Sequence, residues 1–208
     1  EAPHRSITVQ DLLRHTAGLT YDFVGNLEVH RRYAAANLAD RSIDNAAQMR
    51  RLAALPLAHQ PGTQWEYSRA TDVLGHLVEL VSGQTLGSFL AQRIFAPLGM
   101  TDTAFHVAPE HQHRIAEPFG QDPDTGAPVR VIEPRDKPAF ESGGGGLISS
   151  LADYYRLLKL LAGGGRLGNE RLVSRDTLAF MTADHLGSIP SASPLLAPGH
   201  GFGLGFAV

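Results

Sequence analysis

The chain has 208 residues, a formal net charge of −3, 43% hydrophobic and 19% charged residues, and no cysteine. That balance is globular, long enough to bury roughly 70% of the unfolded surface, and it excludes a disordered or fibrous chain, disulfides, thiolate nucleophiles and cysteine-ligated zinc. The weakly negative charge gives no electrostatic ground for a nucleic acid or an anionic membrane as partner, and no apolar run nears the ~18 residues of a membrane span.

Glu1-Ala2-Pro3-His4-Arg5 does not read as a signal peptide, so any targeting segment is expected outside this chain and the compartment stays open. Thr8-Val9-Gln10-Asp11 reads as a capping box for a short helix with Leu12 and Leu13 on its buried side, ending near His15 because Gly18 supplies a turn. Between residues 28 and 55 the apolar spacing predicts two helices separated by Asp40 to Asp44. Pro56 and Pro61 then bracket a loop that delivers the chain to Trp65.

The stretch Pro61-Gly62-Thr63-Gln64-Trp65-Glu66-Tyr67-Ser68-Arg69 leads straight into an apolar series at Val73, Leu74, Leu77, Val78 and Val81. Helical spacing predicts that this face is buried, with Ser68 as candidate cap and Tyr67 held at the N-terminal end. The dipole there favours negative charge, so a phenol at that place is poised to accept and return a proton if a cation lies near. Gly83 is placed to stop this helix, and a second one is expected over residues 85–95 with Leu86, Phe89, Leu90 and Ile94 inward.

From Thr101 to Phe140 the pattern dissolves, with β-type runs at Ala104 to Val107 and Val129 to Ile132; a stretch that long reads as a functional insertion or a rim over a site. Ser150 to Asp153 reads as another capping box, opening a helix that packs Leu151, Tyr154, Leu157, Leu158 and Leu161 and stops at Gly163. Ser174 caps a last short helix through Met181, and Phe202 to Val208 alternates glycine with apolar residues like the start of a strand.

Four segments carry a family resemblance in order and spacing. Ile7 to Leu19, with Leu12-Leu13-Arg14-His15-Thr16-Ala17-Gly18-Leu19, resembles the "LLxHTSGL" segment of the serine β-lactamase and penicillin-binding family, above all its class C β-lactamase and family VIII carboxylesterase branches. Pro61 to Ser68 resembles "PGxxWxYSN", Pro97 to Thr103 resembles "PLGMxxT", and Gly144 to Asp153 resembles "GGLxSTxxD". The resemblance implies a two-domain α/β (α+β) fold of the β-lactamase/transpeptidase type, of which residues 1–208 form mostly the helical part plus a few strands. It also implies a serine hydrolase using a Ser-x-x-Lys pair, with the tyrosine of Tyr-x-Asn sharing protons with that lysine.

By position, Tyr67 matches the catalytic tyrosine, while Ser68, Arg69, Gly144 and Gly145 are expected to bind substrate or line the site. Arg69 stands where the family has asparagine, a permanent charge in place of a neutral amide, which leans toward an ester rather than a lactam substrate. Lys137 and Lys159 are the only lysines, preceded three places earlier by Pro134 and Arg156, so no Ser-x-x-Lys occurs here. The family places that motif before the first segment and a third motif after the last, so the chain reads as a β-lactamase-related domain cut at both ends. The expected function is a carboxylesterase working on short acyl esters through an acyl-serine; the alternatives are a β-lactamase or D-amino-acid peptidase, or a non-catalytic binding member. The expected partner is a small-molecule ester or lactam, with no cofactor or metal.

Other signals read as structural. His15 is expected to brace a turn by hydrogen bonding, and Gly143 to Gly146 lacks the Gly-Lys-Ser/Thr of a phosphate cradle, so it reads as a close-approach loop. His106, His111 and His113 lack a nearby carboxylate pair and read as solvated, and His200-Gly201-Phe202 resembles the third motif's His-x-Gly only loosely.

Overall fold

The computed structural model describes residues 2–118, 120–129, 131–191 and 193–208. Helix α1 (Val9–Leu13) opens on the expected capping box: the Asp11 amide donates to Thr8 Oγ1 at 3.1 Å, and the Thr8 amide donates to Asp11 Oδ2 at 3.0 Å. It ends at Arg14, and His15 enters the left-handed region at φ 57° to reverse the chain. The two helices expected between residues 28 and 55 are α2 (Glu28–Ala35) and α3 (Asn45–Ala53). With α4 (Ala70–Ser82) they bury Leu12, Leu19, Tyr33, Leu38, Leu52 and Ala70 in one core. Each such large apolar side chain stabilises the assembly by about 1.5–3 kcal/mol.

Gly83 closes α4 in the left-handed conformation. The helix expected over 85–95 is present but not regular: α5 (Leu86–Leu90) widens into a π turn over Ala91–Phe95 before α6 (Ala96–Leu98). Pro97 accounts for the wider turn, since it lacks the amide that would bond the Arg93 carbonyl and its ring crowds that carbonyl. Phe95, Leu98 and Met100 form a second core with Leu160 of α7 (Leu151–Ala162), joined by Leu157, Leu167 and Leu172. Strands β1 (Arg166–Leu167) and β2 (Glu170–Arg171) pair antiparallel, Arg166 opposite Arg171, and α8 (Arg175–Met181) starts at the expected Ser174 cap. A third cluster packs Trp65, Leu186 and Phe202, with Tyr67 against it.

Several expectations are corrected. Arg69, not Ser68, is the N-cap of α4, and no side chain caps it. The face of α4 is sunk around Ala70, Asp72 and Gly75, so Val73, Leu74, Leu77 and Val78 are half-buried and Val81 is 82% exposed. Helix α7 is likewise rotated from its expected face: Asp153 and Leu160 are buried while Leu151 is 87% exposed and Tyr154 and Leu158 are also exposed. The cause is polar, because Asp153 turns inward to accept the Asp102 amide at 2.7 Å and the Thr103 hydroxyl at 2.9 Å, instead of completing the second capping box. Ser150 still caps that helix by accepting the Asp153 amide. The β-type run at 104–107 contributes one bridge, Ala104 to Ile148, and the exposed Val129, Val131 and Ile132 form no strand; Arg130 of that run lies outside the described residues. Phe202 to Val208 folds back on itself instead of extending, with Phe202 bridged to Ala207 across Gly205 at φ 89°.

Asp11 is the polar anchor of this arrangement. Its buried carboxylate accepts Arg5 Nη1 at 2.6 Å, Arg5 Nη2 at 2.9 Å and the Thr16 hydroxyl at 3.0 Å. Burial pushes the carboxyl up, but the Arg5 guanidinium, Thr8 and Thr16 outweigh it and hold the group well below the usual carboxylate range. A depressed carboxyl stabilises the fold above its unfolded value near pH 4, and that stability is lost as the pH falls toward the folded value. We expect Asp11→Asn to cost about 3 kcal/mol at pH 7 and to flatten the fall of stability below pH 5, read by urea titrations across that range.

Candidate active site

Tyr67 is fixed by main-chain bonds of the two residues that precede it. The Trp65 amide donates to the Pro190 carbonyl at 2.9 Å, and the Glu66 amide donates to the His15 carbonyl at 3.0 Å. The strand-like stretch 65–67 is thereby pinned between the 189–191 loop and the turn after α1. Tyr67 is half-buried there, two residues before the N-cap of α4. Its ring centre lies 5.1 Å from that of His15 and 5.3 Å from that of Tyr21.

His15 supports this position from behind. It is buried, its ring meets Phe202 edge-on at 5.5 Å and Trp65 at 6.2 Å, and its Nδ1 lies 3.2 Å from Ser68 Oγ. Thus the Ser68 hydroxyl is committed to an internal bond. Burial pushes the imidazole down to about 4, so the ring is neutral at physiological pH. A left-handed backbone on a non-glycine residue costs about 1 kcal/mol or more and persists only where the surroundings impose it; here the Gly62 amide reaches the Thr16 carbonyl at 2.7 Å and fixes the turn.

Arg69 sits on the other side. Its guanidinium carbon is 4.8 Å from the centre of the Tyr21 ring, and Nη1 is 3.3 Å from Asp72 Oδ2. Asp72, 1% exposed, uses its second oxygen to accept the Ser142 hydroxyl at 2.6 Å and the Gly144 amide at 3.1 Å. Gly144 is in close approach: a Cβ there would lie 2.9 Å from the Tyr21 hydroxyl, 3.2 Å from Thr71 Oγ1 and 3.3 Å from Asp72 Oδ1, so a side chain would have to push the Tyr21 hydroxyl aside. Gly145 differs, standing exposed with nothing within 4 Å of where a Cβ would be. Burial first, then Asp72, pushes the Tyr21 phenol well above its ordinary value, so Tyr21 stays protonated.

Of the residues singled out from sequence, Tyr67, Ser68, Arg69 and Gly144 therefore meet in one neighbourhood, and Gly145 is at its exposed edge. Tyr21, Asp72 and Phe202 complete it and were not singled out. Tyr21 lies in a stretch without periodicity, and Asp72 sits among apolar residues of α4; the one available signal was an acidic residue in a first helical turn, which ordinarily reads as a dipole partner. Among the described residues no group of three or more acidic or histidine side chains is arranged to hold a metal. No helix among them is long and apolar enough to cross a membrane.

The neutral state of His15 is open to measurement. Because the folded value lies below the unfolded one, near 6.5, its contribution to stability is complete above pH 6.5 and is lost as the pH falls toward 4. The imidazole resonances of His15 are expected to stay flat in NMR titration from pH 8 to 5 and to move near pH 4; a midpoint above 6 would contradict the burial described above.

Comparison with known proteins places the chain in a family. The family model described as Beta-lactamase matches residues 1–208. An uncharacterized protein of Mycobacterium tuberculosis is 35% identical over 210 residues, covering 98% of this chain and 52% of that protein. Esterase EstB of Burkholderia gladioli is 34% identical over 176 residues, covering 74% of this chain and 44% of EstB. Among solved structures, unliganded simvastatin synthase from Aspergillus terreus superposes with a TM-score of 0.75 at 26% identity, over 100% of this chain and 54% of that one. The fold is that of the β-lactamase/transpeptidase type, and this chain, mostly helical with few strands, spans about half the length of the curated relatives it matches.

Proposed function

Because the chain belongs to the β-lactamase-like family of serine hydrolases, we propose that it is part of a carboxylesterase acting on short acyl esters through an acyl-serine intermediate. The observation that carries the ester preference is Arg69. Where the family has a neutral asparagine, this chain has a guanidinium folded over Tyr21 and bonded to Asp72, so no amide is offered to a substrate at that point. The relative named as an esterase, EstB, supports the same reading.

In this scheme Tyr67 is the proton carrier. Acylation forms a bond between the serine oxygen and the ester carbonyl carbon and breaks the bond to the alcohol oxygen; the serine proton leaves and the departing alkoxide needs one. What supports this role is a half-buried phenol two residues before a helix, on a backbone held by the Trp65 and Glu66 amides through the Pro190 and His15 carbonyls. No Ser-x-x-Lys occurs in the 208 residues, so the nucleophile of this scheme is assigned to no residue of this chain. Ser68 does not serve, since it is 1% exposed and its hydroxyl faces inward onto the buried His15, away from any substrate carbonyl.

In the full-length protein, Tyr67→Phe is expected to lower kcat on p-nitrophenyl butyrate by about 10²-fold or more with little change in KM or in thermal midpoint. Undiminished turnover would remove Tyr67 from the mechanism. Hydrolysis of nitrocefin with no hydrolysis of the ester would favour the β-lactamase reading. The non-catalytic reading is favoured instead if both substrates stay inert and no adduct forms with a fluorophosphonate.

A further inference from the structure

We infer that Asp72 sets the charge preference of the site, by cancelling Arg69 and so restricting the substrate to esters whose acyl group carries no negative charge. The inference rests on the esterase reading and adds a substrate class to it. Arg69 is a permanent cation one ring away from Tyr67: its guanidinium lies over Tyr21, whose ring is 5.3 Å from that of Tyr67. Left unpaired, a guanidinium one ring away would draw anionic substrates, because a unit charge at that range in a partly buried site is felt strongly. Asp72 removes that attraction.

The pairing is built in. Asp72 lies in the first turn of α4, three residues after Arg69, and is 1% exposed. One oxygen faces the guanidinium at 3.3 Å, and the other is held by the Ser142 hydroxyl and the Gly144 amide, so the carboxylate cannot swing away without freeing the 142–144 loop. Asp22, exposed beside Tyr21, adds a second negative charge on the same side. Of the charges that act on Tyr21, one cation, Arg69, stands against two anions, Asp22 and Asp72, a balance that disfavours a carboxylate-bearing acyl chain. Asp72 acts through Arg69 and the loop, and is a specificity-determining residue with no direct part in bond breaking.

The test compares two esters of equal acyl length in the full-length protein, p-nitrophenyl butyrate and p-nitrophenyl hemisuccinate, through the ratio of their kcat/KM values. Using a ratio removes any general loss of activity. The wild type is expected to favour butyrate. Asp72→Asn is expected to move the ratio toward hemisuccinate by about tenfold, with the shift shrinking at high salt. Arg69→Gln is expected to move it the other way, and the double variant carrying both changes, a neutral pair, to return close to the wild-type ratio. An unchanged ratio in Arg69→Gln, or the Asp72→Asn shift persisting in the double variant, would overturn the inference. Where the wild type hydrolyses neither ester, the esterase reading has failed, and the charge preference is read by binding instead. In that case NMR shifts of the Tyr21 and Tyr67 rings on titration with monoethyl succinate must show tighter binding to Asp72→Asn than to wild type, and equal binding overturns it.

Discussion

Tyr67 depends on the capture of one tight turn by one extended segment. The carbonyls of His15, Thr16 and Gly18 accept the amides of Glu66, Gly62 and Ala58, at 3.0, 2.7 and 2.7 Å respectively. Residues about 45 positions apart are thus locked edge to edge, and the phenol is carried on the locked segment. The lock demands three left-handed backbones, His15 at φ 57°, Gly18 at φ 80° and Gly62 at φ 82°. At Gly18 a side chain is excluded twice over, because a Cβ would also collide with the His59 carbonyl oxygen. A buried main-chain group that loses its partner costs about 1–3 kcal/mol, so the three bonds hold the register more firmly than the apolar contacts around them, which tolerate sliding.

Around that lock, buried carboxylates join segments that apolar packing alone would leave loosely related. Asp11 ties the chain before α1 to the turn after it, Asp72 ties α4 to the glycine loop, and Asp153 ties α7 to the segment after Met100. Glu66 does the same beside Tyr67, with His59 Nε2 at 2.7 Å and His30 Nε2 at 3.8 Å. Burial pushes Glu66 up, but His59, Thr20 and His30 outweigh it and the carboxyl is held below its usual value. A carboxylate held in this way is a weak source of net stability and a strong source of geometry, since its oxygens accept only donors that arrive at the right place. The consequence is a site whose backbone is set by directional contacts on both sides.

The local elements were legible because their signals are local. Thr8 with Asp11, Gly83, Ser174 and the paired helices between 28 and 55 follow from capping and spacing, and the structure has them there. What periodicity missed was the polar part of the buried face. In α4 and α7 part of the predicted stripe packs as expected, Val73 and Leu74 on the first core and Leu157 on the second, but carboxylates with distant partners, Asp72 and Asp153, are sunk deeper while Val81, Leu151 and Leu158 are exposed. Periodicity counts apolar residues and has no means of seeing an acceptor whose donors are 50 or more residues away. The same blindness hid Tyr21 and Asp72 from the site while leaving Tyr67, Arg69 and Gly144 readable by motif. The Ser68 assignment failed for a related reason: a serine before a helix ordinarily caps it, yet here its hydroxyl meets His15, 53 positions earlier.

Three phenols crowd the inner end of α4, and their surroundings separate them. Tyr33 is buried in the helical core and burial pushes it up to about 12. Tyr21 is buried under Phe23 and Arg69, and burial with Asp72 pushes it higher than an ordinary phenol. Both are fixed as neutral phenols, able to support a structure but closed to rapid proton exchange. Tyr67 alone of the three is only half-buried while keeping a rigid backbone, and it lies two residues before the N-cap of α4. A proton carrier needs both properties: a fixed donor oxygen and a path for the proton to leave. The main-chain bonds of Trp65 and Glu66 and the Tyr21 ring beside it supply the rigidity from which Tyr67 is displayed, which is why the proton role proposed above falls on the one phenol of the three that packing has left open.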